Sequence, residues 1–376
     1  MMLPSPRQNR CNGRRMIMSR ILMKGNEAFA EAAIRAGVKC YFGYPITPQN
    51  EIPEYMSHEL PKAGGAFIQA ESELAAISMA YGAAASGGRV FISTSSPGLA
   101  LMQEGIGFIA SCEVPLVILN VSRGGPGVGG IQPGQADYLQ VTRGGYNGDV
   151  KVPVFAPSSI QECANLIYEC FDIAEEYRNP VVILADGMLG QMMEPVELPE
   201  AKGIVPVEDI NKGKPWAITG TDYHEGRNVV YSLRLQPQVL EDHVEHLFKK
   251  YDKAEKELVR WSDQGLEDAE IVFVAFGTMS RLCAEACELL EERGIKAGLI
   301  RPISLWPYPE AAFDKIGPNC KVVISTELSM GQMMTDVKAA AKGRWPVGLI
   351  HRTGGMVPSS IEIADRAESA LKEAMK

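Results

Sequence analysis

The sequence predicts an α/β protein: a doubly wound parallel sheet followed by a second, smaller α/β domain. Three observations carry this. Short apolar runs recur along the chain, such as residues 115–121 (Pro-Leu-Val-Ile-Leu-Asn-Val) and 180–185 (Pro-Val-Val-Ile-Leu-Ala). Stretches with apolar residues at helical spacing alternate with them, the pattern of parallel strands joined by crossover helices. The alternation lapses from residue 193 to about 230, where Pro195, Pro199, Pro206 and Pro215 interrupt the chain, and it resumes near Ala269.

Composition narrows the function. A length of 376 residues suits two or three domains. The chain is 46% hydrophobic and 22% charged, an ordinary globular balance. A net charge of -9 argues against nucleic acid or an anionic membrane as partner. No apolar run approaches the roughly 20 residues that cross a bilayer. Eight cysteines occur without a Cys-x-x-Cys pair, and Cys283 and Cys287 lie four apart on one expected helix. Iron–sulfur runs need tighter spacing, so these read as reduced thiols of a cytoplasmic protein with no cluster of its own. Residues 1–22 carry Arg7, Arg10, Arg14, Arg15 and Arg20 among polar residues, without the apolar core of a signal peptide. A disordered or extraneous tail is expected there.

The first helix is expected from Gly25 to about Ala36, with Asn26 as its N-cap and Gly37 as its stop. Residues 39–43 read as a short buried strand. Tyr44-Pro45-Ile46-Thr47-Pro48 follows, and its two prolines stiffen the loop and aim the Thr47 hydroxyl. Asn50, Glu51 and Ile52 start the next helix. Residues 69–83 then place Glu71 and Glu73 in the first turn of a helix, where the dipole favours negative charge. Ala75, Ala76, Met79, Ala80 and Ala83 fall on one face of it. A strand over residues 90–93 ends in the turn Thr94-Ser95-Ser96-Pro97-Gly98, and a helix is expected over 99–111.

The strand over 115–121 feeds the glycine-rich loop 122–130. No Lys-Ser/Thr follows and no helix opens at once, so a phosphate-cradling P-loop is not supported. Arg123, at the strand's carboxyl end, suits an anion clamp, because guanidinium grips a carboxylate through two parallel hydrogen bonds. Strands over 152–156 and 180–185 flank a helix over 159–177, and the first domain closes near Met192. Residues 238–261 read as a charged, exposed helix. His243 and His246 lie three apart on it with no third metal ligand in view, so a solvated face is the reading. Strands over 270–276, 297–300, 321–325 and 347–351 and helices to Arg293 and over 360–372 complete the chain, with Glu327 just past the third of these strands.

The ordered string Glu73, Ala75, Ala76, Ala80, Gly82, strand and Thr-Ser-x-Pro-Gly resembles the pyrimidine-binding domain of thiamine diphosphate enzymes. That resemblance implies that Glu73 bonds N1′ of the aminopyrimidine and favours its imino tautomer, which then deprotonates C2 of the thiazolium. The Tyr-Pro-Ile-Thr-Pro loop is similar to a signature of the 2-oxoacid:ferredoxin oxidoreductases. By that likeness Tyr44, Pro45, Ile46, Thr47, Ser95 and Ser96 join Glu73 around the cofactor, Thr47 lies beside the oxoacid, and Arg123 holds its carboxylate. The family usually has two serines where this chain has Gln49-Asn50, a departure that bears on substrate identity. Gln132, Gln135 and Asp137 fall in a segment near the family's active-site entrance. The carboxy-terminal part resembles the last domain of transketolase-like enzymes, where Arg301 and Glu327 suit a subunit interface or an ordinary surface.

Ala185-Asp186-Gly187 with Asn211 loosely imitates the motif that holds magnesium and diphosphate in thiamine enzymes, but its first glycine is missing and no crossover helix intervenes. The resemblance therefore implies a half-site: a β subunit supplies the diphosphate half and Mg2+, [4Fe-4S] clusters sit on further γ and ferredoxin-like subunits, coenzyme A takes the acyl group, and ferredoxin takes the electrons. The expected division is a tail over 1–22, a pyrimidine-binding domain over 23–192, a connector with an exposed helix over 193–268, and a transketolase C-terminal-like domain over 269–376. Within the family the chain looks most like the α subunit of the branched-chain (3-methyl-2-oxobutanoate) type, an impression to which residues 186–195 contribute. The 2-oxoglutarate type is the alternative. Two other classes differ by test: a non-oxidative thiamine half-subunit would reduce no viologen, and a scaffold would lack Glu73, Thr47 or Arg123.

Overall fold

The computed structural model describes residues 20–210, 212–218, 220 and 228–376. Most of the expected tail, Cys11 and Asn211 lie outside the described residues. The chain opens with β1 (Ile21–Lys24), α1 (Gly25–Arg35), β2 (Cys40–Gly43), α2 (Glu51–Glu59), β3 (Ala66–Gln69) and α3 (Glu73–Ala85). It continues through β4 (Val90–Thr94), α4 (Ser96–Ser111), β5 (Leu116–Ser122), α5 (Tyr138–Thr142), β6 (Val154–Phe155), α6 (Ile160–Tyr177), β7 (Pro180–Asp186), α7 (Gly187–Gln191) and β8 (Met193–Val196). After an irregular stretch come α8 (Pro237–Glu257), β9 (Trp261–Gln264), β10 (Ile271–Val274), α9 (Gly277–Glu292), β11 (Ala297–Pro302), β12 (Ser304–Trp306), β13 (Val322–Glu327), α10 (Met334–Ala341), β14 (Val347–His351) and α11 (Ser360–Ala374).

The strands make a seven-stranded sheet of order β12-β6-β7-β5-β4-β2-β3, a five-stranded sheet of order β14-β13-β10-β11-β9, and a β1–β8 pair. Both large sheets are parallel except at one edge: β12 runs antiparallel to β6, and β9 antiparallel to β11. Central strands β5 and β7 are buried at every position, which is why they read as unbroken apolar runs. Helices cover both faces by their spacing. In α6 the buried Ile160, Cys163, Ala164, Ile167, Cys170, Phe171 and Ala174 form one stripe. Ser159 caps it by accepting from Glu162 N at 3.1 Å, and Glu162 reaches back to Ser158 N at 2.7 Å.

Several expectations change. Ile21 and Leu22, placed in the tail, pair with Val196 and Pro195 in β1–β8. Asn26 is no N-cap: Lys24 holds that position, and Asn26 lies buried within α1. Glu71 precedes the α3 cap, Ser72, and is exposed. Met79 of the expected apolar face is 37% exposed, and Ile77 is buried instead. The Ser-Pro-Gly turn is the first turn of α4, with Pro97 at a position that needs no N–H. Helix α8 is not wholly solvated, since Leu247, Tyr251 and Ala254 bury one stripe. The second sheet takes its edge strand from Trp261–Gln264, ahead of residue 269, and returns Ser304–Trp306 to the first sheet. Arg301 and Glu327 line no open surface: Arg301 pairs with Glu162 at 2.8 Å across the two domains, and Glu327 is fully buried.

Candidate active site

In the large sheet the chain leaves β2 for β3 on one side and then crosses to β4 on the other. Ligands of open α/β sheets bind at such a reversal, beyond the carboxyl ends of the strands. Thr47 follows β2, Glu73 follows β3, Ser95 and Ser96 follow β4, and Arg123 follows β5. The structure therefore gathers every chemistry-bearing residue expected from the sequence at one end of one sheet.

Glu73 is the first residue of α3 and is only 5% exposed. Ser72 fixes the helix start by accepting from Ala75 N at 3.2 Å. A methyl group built on Gly98 would lie 2.3 Å from Glu73 Oε1 and 2.2 Å from Thr94 Oγ1. Gly98 thus leaves room over the carboxylate. Among the described residues no side chain or backbone N–H donates to that carboxylate, which leaves its oxygens open to a donor from a ligand. Just past the end of strand β4, Ser95 is fully buried with its Oγ unpartnered. A carboxylate without a donor suits a ligand that carries one, such as the polar edge of an aminopyrimidine ring, so the residues present suit the expected thiamine diphosphate.

Thr47 sits on the lip of the site, with Oγ1 accepting from Asn50 Nδ2 at 3.2 Å. Tyr44 and Pro45 are exposed and Ile46 is half-buried. The Gln49-Asn50 departure resolves into two different roles. Gln49 is fully buried, and its Oε1 accepts from Ser93 Oγ at 2.6 Å, which binds Tyr41 in turn at 2.7 Å. It is a core residue, whereas Asn50 touches the Thr47 hydroxyl. Arg123 is 8% exposed. Its Nη1 donates to Thr47 O at 2.7 Å and its Nη2 to Val128 O at 2.8 Å, and Nε is buried without a partner. Guanidinium carries five N–H groups, so three remain unspent.

Asp137, given no definite role from sequence, is the hub of the strand ends. Its Oδ2 accepts from Ser96 Oγ at 2.6 Å, Asn120 Nδ2 at 2.7 Å and Ser122 Oγ at 2.7 Å. Ser96 is therefore committed to the frame, and Ser95 is the serine with a free hydroxyl. Gln135 bridges the domains, donating to Phe276 O at 2.9 Å and accepting from Leu328 N at 3.0 Å. Gln132 packs against Gly355. Sequence reasoning read Asn26 as a cap and Gly98 as a turn residue and gave Gln191 no role, because their partners Pro48 and Glu73 lie far off in the chain. A cleft of about 490 Å3 opens beside Thr47 and is lined by Asn50, Ile131, Gln132, Met188 and Met192 among others.

Two other motifs find ordinary explanations. Asp186 is buried: Oδ1 accepts from Met188 N and Leu189 N at 3.0 and 3.1 Å, and Oδ2 from Thr278 N at 3.4 Å. Burial pushes its carboxyl above the usual range although these donors pull the other way. Oδ1 of Asp186 is thus spent on the first turn of α7. His243 binds Ser111 O at 2.8 Å and His246 binds Glu113 at 3.1 Å. No group of three metal-ligating side chains occurs among the described residues, and no described helix is long and apolar enough to cross a membrane.

Comparisons with known proteins agree with this geometry. Residues 31–261 match the family model described as pyruvate flavodoxin/ferredoxin oxidoreductase, thiamine diphosphate-binding, and residues 269–363 match pyruvate:ferredoxin oxidoreductase core domain II. The chain is 44% identical to the ketoisovalerate oxidoreductase subunit VorB of Methanothermobacter marburgensis over 93% of its own length and 96% of that protein's. It is 37% identical to the 2-oxoglutarate synthase subunit KorA of Methanocaldococcus jannaschii, covering 91% of this chain and 98% of that one. A 2-oxoglutarate:ferredoxin oxidoreductase of Magnetococcus marinus, solved with 2-oxoglutarate, coenzyme A and succinyl-CoA bound, superposes with a TM-score of 0.82 at 26% identity. That match covers 94% of this chain and 65% of the other, so the chain spans under two thirds of that protein.

Proposed function

The chain belongs to the pyruvate flavodoxin/ferredoxin oxidoreductase family, a family of thiamine diphosphate-dependent oxidoreductases built from subunits, and from that premise we propose that it is the α subunit of a cytoplasmic branched-chain 2-oxoacid:ferredoxin oxidoreductase. The reaction is the oxidative decarboxylation of 3-methyl-2-oxobutanoate to an acyl-CoA and CO2, with two electrons passing to ferredoxin. The observation that carries the cofactor half of this reading is the buried, donor-less Glu73 carboxylate beneath Gly98. The substrate half rests on the 44% identity to a ketoisovalerate oxidoreductase subunit. The related 2-oxoglutarate synthase subunit keeps 2-oxoglutarate as the second reading.

Thiamine diphosphate, when bound, would supply a carbon nucleophile for the keto group and a sink for the electrons left behind by CO2. The chain's own residues bind and orient. Glu73 would hold ring nitrogen N1′ through a hydrogen bond to its carboxylate. The free Ser95 hydroxyl offers a second hydrogen bond to the ring. Thr47 Oγ1 would meet the keto oxygen, and the unspent N–H groups of Arg123 would meet the carboxylate. Asp137 holds Ser96, Asn120 and Ser122, so these parts move as one. With Asp186 spent on backbone donors, the magnesium and diphosphate belong to a β subunit, and the [4Fe-4S] clusters to γ and ferredoxin-like subunits.

The test is anaerobic viologen reduction by the chain co-purified with its native partners, with thiamine diphosphate and coenzyme A present. Turnover is expected only in the complex and highest with 3-methyl-2-oxobutanoate. Glu73→Gln keeps the side chain's shape but removes its charge, and it should lower kcat at least about a hundredfold. Near-full turnover of that variant would refute the Glu73 assignment.

A further inference from the structure

The segment 186–191 (Asp-Gly-Met-Leu-Gly-Gln) contains the Asp186-Gly187 pair that loosely imitates a cofactor motif, and the mechanism above gives its side chains no part in binding substrate. Its surroundings give it a different task. Two consecutive carbonyls of the substrate loop are held by side chains from three separate elements. Arg123 donates to Thr47 O at 2.7 Å. Asn26 Nδ2 and Gln191 Nε2 each donate to Pro48 O at 2.7 Å. Both amides also donate to Glu51 at the start of α2, Asn26 at 2.7 Å and Gln191 at 3.1 Å, and Lys24 pairs with the same carboxylate.

The short helix α7 is pressed against this point from behind. A methyl group on Gly190 would lie 2.5 Å from Asn26 Oδ1, one on Gly25 would lie 1.9 Å from Leu189 O, and one on Gly187 would lie 3.0 Å from Pro48 Cγ. Three glycines thus let α1, α7 and the Thr47–Pro48 loop approach within van der Waals distance. Asp186 fixes where α7 begins, and its other oxygen accepts from Thr278 N in the second domain.

We propose that α7, capped by Asp186 and acting through Gln191 and Asn26 on the Pro48 carbonyl, is a positioning bracket that sets the Thr47 hydroxyl against the substrate. This rests on the reading of Thr47 as a substrate-facing residue. The residues of the bracket touch no substrate; they fix the residue that does. A displacement of about 1 Å at such a residue lowers turnover by as much as a hundredfold.

The test uses Gln191→Met, which keeps length and removes the donor at a side chain exposed on the surface, so folding is not at risk. Hydrogen–deuterium exchange is measured on the full chain, and kinetics on the assembled complex. Exchange over residues 44–52 should quicken about tenfold while the rest of the chain and Tm stay unchanged. Turnover should fall about tenfold or more through kcat, with KM nearly constant. In a Thr47→Val background, adding Gln191→Met should cost nothing further. Asp186→Ala should loosen the same peptide, and Asp186→Asn, which keeps the Oδ1 cap, should restore it. Unchanged exchange over 44–52, or losses that add in the double variant, would overturn the bracket. A wild-type complex inert towards every 2-oxoacid would instead defeat the functional reading, while the exchange result still decides the bracket.

Discussion

Glu73 and Gly98 show how a single missing methyl group shapes the site. Gly98 lies in the first turn of α4, where alanine is conformationally acceptable and gains up to about 1 kcal/mol of helix propensity. Its methyl group would meet Thr94 Oγ1 at 2.2 Å and the Glu73 carboxylate at 2.3 Å, so the buried threonine must shift and the far end of Glu73 must turn away. Gly98→Ala is therefore expected to lose about 1–3 kcal/mol of stability to overpacking and to bind thiamine diphosphate at least about tenfold more weakly in the complex. Titration calorimetry decides it: wild-type affinity would mean that the cofactor does not meet Glu73 at that oxygen. At this scale the sequence was most legible where a residue type is dictated by chemistry and its loop by proline or glycine. Glu73, Thr47 and Arg123 stood out for that reason. Asn26, Asp137 and Gln191 did not, because their partners lie across the fold (Pro48 is 22 and 143 positions from the first and last of these).

Element boundaries followed spacing well for α6 and the central strands, where burial is complete and periodicity clean. They failed where one face meets another part of the chain. Helix α8 looked solvated because Lys and Glu dominate its sequence, yet it lies across the end of α4 and buries Leu247 and Tyr251. Lys250 is caught in that contact, donating to Glu113 at 3.3 Å and to Arg178 O at 3.2 Å. Burial lowers its ammonium from 10.5 to about 8, with Glu113 opposing the shift. Between pH 8 and 10.5 the unfolded chain then binds more protons than the folded one, so this group's contribution to stability rises with pH across that window. Below pH 8 its full burden remains, on the order of 3 kcal/mol. Lys250→Met should accordingly raise Tm relative to wild type most at pH 7, and the difference should shrink by pH 10. A difference independent of pH, read by scanning calorimetry, would mean that Lys250 titrates normally in the fold.

Two domains were legible in the whole chain, but their interlocking was not. Strand β12 leaves the second domain to become an edge of the first sheet, and Trp306 in it packs edge-on against Tyr251 of α8 at 6.2 Å. Three residues with ordinary composition carry no sequence sign of such an exchange. Side chains add to it. Gln135 bonds both Phe276 and Leu328, and Arg301 pairs with Glu162. Tyr138, whose hydroxyl burial keeps protonated, donates to Asp336 at 2.7 Å. The joined segment 132–143 is also the one that carries Asp137, so the second domain steadies the site it does not line. The full chain should therefore unfold in one cooperative transition. A chain cut after residue 268 would uncover the β6 edge, strip Tyr251 of its contact with Trp306 and leave Gln135 and Tyr138 without their hydrogen-bond partners. Unpaired edges and buried orphan donors both favour association over solubility. The cut chain is expected to aggregate, or to melt at least about 10 °C below the full chain. Two resolved calorimetric transitions in the intact chain, or a truncated chain as stable as the whole, would show that the domains fold independently and that the second lends the active site no support.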